Sequence, residues 1–216
     1  MNGYLRQDGR KGIRNVILVV YLVECAHHVS REIVWQAGGH DVQLIGFSGC
    51  YPNAYAQGLT ERLCTHPNVG GVLLVSLGCE GFNRHRLEGV IRESGRPVQT
   101  LVIQERGGTR TTVQEGVAWV RGTRTELESV PTAPFGWPDL IVGTVCGGSD
   151  GTSGISANPA VGGAFDLMVG HGATCMFEET GELIGCEGWR EKSVENLFAA
   201  IDGRIGFDPA RLLFDI

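Results

Sequence analysis

The chain has 216 residues, a formal net charge of −6 and a charged fraction of 19%. That length supports one large domain or two small ones, and the acidic balance offers no footprint for nucleic acid or for an anionic membrane surface. No apolar run approaches the roughly 20 residues that cross a bilayer, and Met1-Asn2-Gly3-Tyr4-Leu5-Arg6 has no apolar leader character, so the expected location is the cytoplasm.

Asn15 to Leu22 is a valine-rich apolar run, the pattern of a strand buried on both faces. A helix follows over about Ala26 to Gln36 and stops at Gly38-Gly39. The alternation then repeats, with strands over Asp41 to Phe47, Gly71 to Leu77 and Val98 to Ile103. Helices are expected over Asn53 to Leu63, near Arg84 to Glu93, and from about Thr111 to Val120. Arg121 to Pro138 carries three prolines and little periodicity, which marks a candidate domain boundary. Asp139 to Val145 resumes as a strand, Ala160 to Val169 as a helix and Ala173 to Phe177 as a strand. A last helix is expected over Glu191 to Ala200. Strands alternating with helices imply parallel sheets with right-handed crossovers. The fold class is therefore α/β. Residues 1–125 should form a flavodoxin- or Rossmann-like parallel sheet with flanking helices, and 126–216 a smaller α/β segment.

In an open parallel sheet, ligands bind beyond the carboxyl ends of the strands. The six expected strands run, in order, into Glu24-Cys25, Ser48-Gly49-Cys50, Gly78-Cys79-Glu80, Gln104-Glu105-Arg106, Cys146-Gly147-Gly148-Ser149-Asp150 and Glu178-Glu179. Each carries a cysteine, a carboxylate or both. Cysteine is an unusual loop residue, so this edge is the candidate ligand or metal site. Seven cysteines at irregular spacing, with no CxxC pair, fit neither a disulfide framework nor a zinc ribbon. Cys64, Cys175 and Cys186 read instead as small buried hydrophobes. Glycine, at 33 residues, is about twice as frequent as usual. Gly107-Gly108 and Gly147-Gly148 can bring backbone N–H groups close to an anion, and Gly151 to Pro159 leads into a helix N-terminus that suits a carboxylate or phosphate. Neither Walker A nor GxGxxG is present.

The motifs resemble those of the altronate/galactarate dehydratase family. Gly3-Tyr4-Leu5-Arg6-Gln7-Asp8-Gly9-Arg10-Lys11-Gly12-Ile13-Arg14-Asn15 is similar to that family's GYxRxDGRxGxRN opening. Leu77-Gly78-Cys79-Glu80, Gln104 to Arg110, Cys146 to Ala160 and Glu178 to Glu187 follow in the family's order. The resemblance implies dehydration of a sugar acid such as altronate or galactarate to a 2-keto-3-deoxy acid. It also implies a divalent metal, iron first, with manganese or an iron–sulfur cluster as alternatives. Sulfolactate sulfo-lyases share the family, so loss of sulfite is an alternative reaction.

On this reading Glu80, Glu105 and Asp150 are the catalytic candidates, and Cys50, Cys79 and Cys146 the metal ligands. Substrate binding is expected from Arg106, Gly107, Gly108, Arg110, Gly147, Gly148, Ser149, Ser153 and Asn158. Arg14 is a third carboxylate-clamp candidate. His27-His28 reads as helix-cap or surface histidines, since the family pattern has small residues there, and the general base is not identified. Family members are longer, with a further C-terminal segment and a small SAF-like β-rich domain or subunit, so a partial-length member is expected. The expected partners are the sugar acid, that small domain and further copies of the chain. Rival readings are a non-catalytic sugar-acid-binding protein, a structural subunit, or a redox carrier, which would need no carboxylate clamp.

Overall fold

The computed structural model describes residues 1–145 and 151–177. The chain divides into two compact units, Met1–Phe135 and Gly136–Ile216. The first is built on a four-stranded parallel sheet, formed by β3 (Val16–Tyr21), β4 (Val42–Gly46), β5 (Val69–Ser76) and β6 (Val98–Val102). Their spatial order is β4-β3-β5-β6. The connecting helices are α1 (His27–Ala37), α2 (Ala54–Cys64) and α3 (Arg84–Glu93), and α4 (Thr109–Leu127) follows β6.

The strands read as continuous apolar runs because both faces are covered. Ile17, Val19, Leu73, Val75 and Leu101 meet Ile33 of α1 and Val113, Val117 and Val120 of α4 in one core. Leu18, Val20, Leu22, Val72 and Leu74 meet Cys64 of α2 and Leu87 and Ile91 of α3 in the other. The α/β architecture expected from the alternation is what the chain adopts.

β3 enters the sheet first, β4 is laid on one side of it and β5 on the other. The order therefore reverses at β3, which is where open parallel sheets form a crevice at the strand carboxyl ends.

Three short strands lie outside the expected set. β1 (Asn2–Leu5), β2 (Lys11–Gly12) and β7 (Thr132–Pro134) form an antiparallel sheet in the order β2-β1-β7. The stretch Arg121 to Pro138, read from sequence as a break, begins inside α4, which continues to Leu127 by burying Thr123 and Leu127. It then supplies β7, paired to β1 from Thr132↔Tyr4 to Pro134↔Asn2.

In the second unit β8 (Ile141–Thr144) pairs in parallel with β9 (Thr174–Phe177), and α5 (Ala157–Gly170) connects them. Pro159 sits in the first turn of α5, where its missing N–H costs no helical bond. The last expected helix, from Glu191 to Ala200, lies outside the described residues. Among the described residues no helix is long and apolar enough to cross a membrane.

Candidate functional site at the strand carboxyl ends

The β5 end carries a hydrogen-bonded polar cluster. Ser76, the last residue of β5, is fully buried, and its hydroxyl donates to Glu80 Oε1. The Gly78 N–H donates to Glu80 Oε2 at 2.9 Å. Gly78 adopts a φ of 121°, a conformation open to glycine, and this lets the loop turn its amide back toward the carboxylate. Burial pushes the Glu80 carboxyl up, but the Ser76 and Gly78 hydrogen bonds, its own amide and the Arg84 charge together hold it below the ordinary glutamate range. Glu80 is thus an ionised, fully engaged carboxylate.

Arg84, the first residue of α3, reaches the same cluster. Its Nη1 donates to Ser76 Oγ at 3.5 Å, and its Nη2 lies 3.7 Å from Glu105 Oε1 on the β6 loop. Arg84 links two of the three candidate carboxylates, Glu105 by its ion pair and Glu80 through the Ser76 hydroxyl, yet sequence reasoning missed it. Its partners lie on β5 and on the β6 loop, so no spacing in the sequence signalled it.

Arg106 is exposed, and its Nη1 lies 3.4 Å from Glu115 Oε2 on α4. Arg110 is exposed on the first turn of α4. Gly107 and Gly108 have φ of 78° and 96°. Nothing lies within 4 Å of a Cβ placed on Gly108, so backbone conformation rather than space requires glycine there.

Cys25, Cys50 and Cys79 are exposed on the loops after β3, β4 and β5. The Gly81 N–H donates to the Cys50 carbonyl at 2.8 Å, tying the β4 and β5 loops together. Among the described residues no three His, Cys, Asp or Glu side chains converge as a metal site. Cys146, Gly147, Gly148, Ser149 and Asp150 lie outside the described residues, as do Cys186 and the Glu178-Glu179 strand end. In the second unit Ser153 is half-buried, and its carbonyl accepts from the Asn158 N–H at 2.9 Å as α5 begins. Cys64 and Cys175 are buried, as small hydrophobes would be, and burial pushes the Cys64 thiol up to about 12.

His27 begins α1, stacks on Tyr21 with ring centroids 4.8 Å apart, and places Nδ1 3.0 Å from Glu24 Oε1. Arg14, expected as a third clamp, stands just before β3, at the amino end of the sheet. The rest of that opening motif is spent there too. Arg6, only 7% exposed, donates through Nε to Pro67 O at 2.6 Å and through Nη2 to Arg14 O at 3.2 Å. Arg10 donates to Thr65 O at 2.9 Å, and the Asn15 side chain to Leu127 O at 3.1 Å. The motif staples the β1–β2 hairpin onto the α2–β5 loop.

Fold and cluster define an α/β protein whose parallel-sheet carboxyl edge carries carboxylates, guanidiniums and exposed thiols. Residues 3–128 match the family model described as D-galactarate dehydratase/altronate hydrolase, second domain. Residues 137–199 match the one described as D-galactarate/altronate dehydratase, C-terminal. The chain belongs to this family. It is 24% identical over 198 residues to the altronate dehydratase of Bacillus subtilis (strain 168), covering 86% of this chain and 39% of that protein. It is 32% identical over 190 residues to the (2R)-sulfolactate sulfo-lyase subunit beta of Chromohalobacter salexigens, covering 86% of this chain and 48% of that protein. Against the galactarate dehydratase (L-threo-forming) of Escherichia coli (strain K12) it is 35% identical over 130 residues, 57% of this chain and 25% of the relative. The chain thus spans less than half the length of these relatives.

Proposed function

We propose that the chain is the sugar-acid-binding part of a hydro-lyase that converts altronate or galactarate to a 2-keto-3-deoxy acid. The observation that carries this reading is the family match across 3–128, which takes in all four carboxyl ends of the main sheet. Dehydration requires removal of the proton beside a carboxylate, cationic support for the resulting enediolate, and departure of the β-hydroxyl. Glu105 is the carboxylate free enough to exchange a proton, since its one described ion pair is the loose one with Arg84. Glu80, with both oxygens engaged, serves to hold the β5 loop and the Ser76 hydroxyl that Arg84 meets. Arg84 and Arg110 supply positive charge for the substrate carboxylate, and Asp150 remains a further acid–base candidate.

Exposed thiols at Cys50 and Cys79, on loops tied to each other, suit a soft ion such as ferrous iron, and Cys146, outside the described residues, stays a candidate ligand from the sequence alone. When bound, a divalent cation would stabilise enediolate charge.

A second reading, carbon–sulfur cleavage of sulfolactate, is favoured by the 32% identity to the sulfo-lyase subunit over most of this chain. Both reactions begin with the same proton abstraction and differ in the leaving group. Oxygen-free protein loaded with ferrous iron should be incubated separately with altronate, galactarate and (2R)-sulfolactate. A 2-keto-3-deoxy acid supports the first reading, and sulfite the second. Binding without conversion would assign a non-catalytic binding protein, and failure to bind any of the three would refute both.

A further inference from the structure

We propose that Arg84 is the receptor for the substrate carboxylate and that Glu105 is its built-in place-holder, displaced when the ligand arrives. The inference rests on the sugar-acid reading above and names the subsite within it.

A guanidinium offers five N–H donors in a planar fork that fits a carboxylate in two-pronged fashion. Arg84 commits few of them. One points to Ser76 Oγ at 3.5 Å, the far limit of a hydrogen bond, and one meets Glu105 Oε1 at 3.7 Å. The Arg84 side chain is 23% exposed, so it is largely withdrawn from water without having found full compensation in the protein. Its partner Glu105 is 67% exposed.

The cation is braced from beneath. Ser76 is fully buried on β5 and held by Glu80, so the guanidinium is supported at the seam between the β5 and β6 loops. Arg106 lacks such support: it is exposed and pairs with Glu115 of α4. An incoming carboxylate has the charge and shape of the Glu105 head group, and can take the same donors. A loose, well-hydrated pair of this kind shifts an equilibrium by at most about fivefold, so the place-holder is cheap to displace. Its release leaves a free carboxylate on the loop beside the bound acid.

The test is calorimetric titration of the parent, Arg84→Ala, Arg84→Lys and Glu105→Gln proteins with glycolate and with galactarate. Glycolate is a 2-hydroxy acid without a third carbon, so it binds without eliminating. Circular dichroism melts establish folding of each variant. Arg84→Ala should weaken glycolate binding at least tenfold, Arg84→Lys should recover part of that loss, and millimolar guanidinium added to Arg84→Ala should restore binding. Glu105→Gln should bind glycolate as tightly as the parent or up to about fivefold more tightly. A loss in the Arg84 variant with no loss in the Glu105 variant is the signature. If Glu105→Gln weakens binding alongside Arg84→Ala, or folded Arg84→Ala binds like the parent, the assignment is overturned while the sugar-acid reading stands. A parent that binds neither glycolate nor galactarate overturns the inference, and the sugar-acid reading falls with it only if altronate also fails to bind.

Discussion

The opening motif carries much of the resemblance to the family, yet its polar side chains are engaged at the amino end of the main sheet, and Arg6→Ala tests whether its work is structural. Arg6 is 7% exposed and donates to Pro67 O at 2.6 Å and to Arg14 O at 3.2 Å. Truncation strands two carbonyls, and hydrogen bonds to a charged group contribute about 1.5–3 kcal/mol each. The lower end applies, because burial pushes Arg6 down to about 10, the sign of a cation kept against a desolvation cost. Two such bonds at the lower end give about 3 kcal/mol. For a unit of 135 residues, at about 4 °C per kcal/mol, the melting temperature should fall by about 12 °C.

Arg6→Lys keeps the charge without the fork, and should lose about half as much. The assay is a thermal melt followed by circular dichroism, with glycolate titration run well below both transitions. The expected result is a large drop in melting temperature with the dissociation constant unchanged in the folded protein. A variant that melts within about 2 °C of the parent yet no longer binds would refute the structural account, and would move the ligand site to the amino end.

Three further outcomes follow from the same geometry. In native protein treated with iodoacetamide, Cys25, Cys50 and Cys79 should be modified while Cys64 resists until denaturant is added, as peptide mass mapping would show; early labelling of Cys64 would contradict its burial. Asp41 accepts from Arg124 at 2.6 and 3.0 Å, and that hydrogen bonding holds its carboxyl below the ordinary range. The folded state then binds fewer protons than the unfolded one, so this contribution is complete above about pH 4 and lost as pH falls through the lower folded value. Asp41→Asn should therefore lose less stability than the parent between pH 6 and pH 3 in denaturant titrations; an equal loss would remove Asp41 from the account. Iron content of protein purified without oxygen should fall in Cys79→Ser, with the melt unchanged, and equal iron in parent and variant would exclude that thiol as a ligand.

The long elements were legible because burial leaves a signature in composition. Val16–Tyr21 and Val69–Ser76 are buried from end to end or nearly so; the first reads as an unbroken apolar run and the second shows its apolar centre from Val72 to Val75. The antiparallel sheet left no such trace. β2 has two residues and β7 three, ending in proline at an edge position where a missing N–H breaks no ladder. Without the partner strand in view, the prolines around β7 look like punctuation. The tail of α4 was lost for a related reason. Gly122-Thr123 has weak helix propensity, and tertiary burial of Thr123 and Leu127 overrides it. Among site residues, Glu80 and Glu105 were visible as strand-end carboxylates, whereas Arg84 gains its meaning from Ser76 beneath it and Glu105 across the β5–β6 seam. Those contacts are set by strand pairing, which no spacing rule encodes.

The two ends of the sheet show why motif specificity and chemical role need not coincide. At the amino end, Arg6, Arg10 and Asn15 all donate to backbone carbonyls, and Arg96, 4% exposed, adds bonds to Thr65 O, His66 O and Val69 O. Carbonyls in such loops must be satisfied whatever the ligand, so a motif that does this constrains many residues at once without contacting substrate. At the carboxyl end the polar groups are left partly unspent: Arg84 and Glu105 pair at 3.7 Å, Arg110 is exposed, and three thiols stand open. Loose, replaceable pairings there are what a site needs if a charged ligand is to enter at little cost. The search for catalytic groups in this chain therefore belongs with the incompletely satisfied side chains beyond β5 and β6.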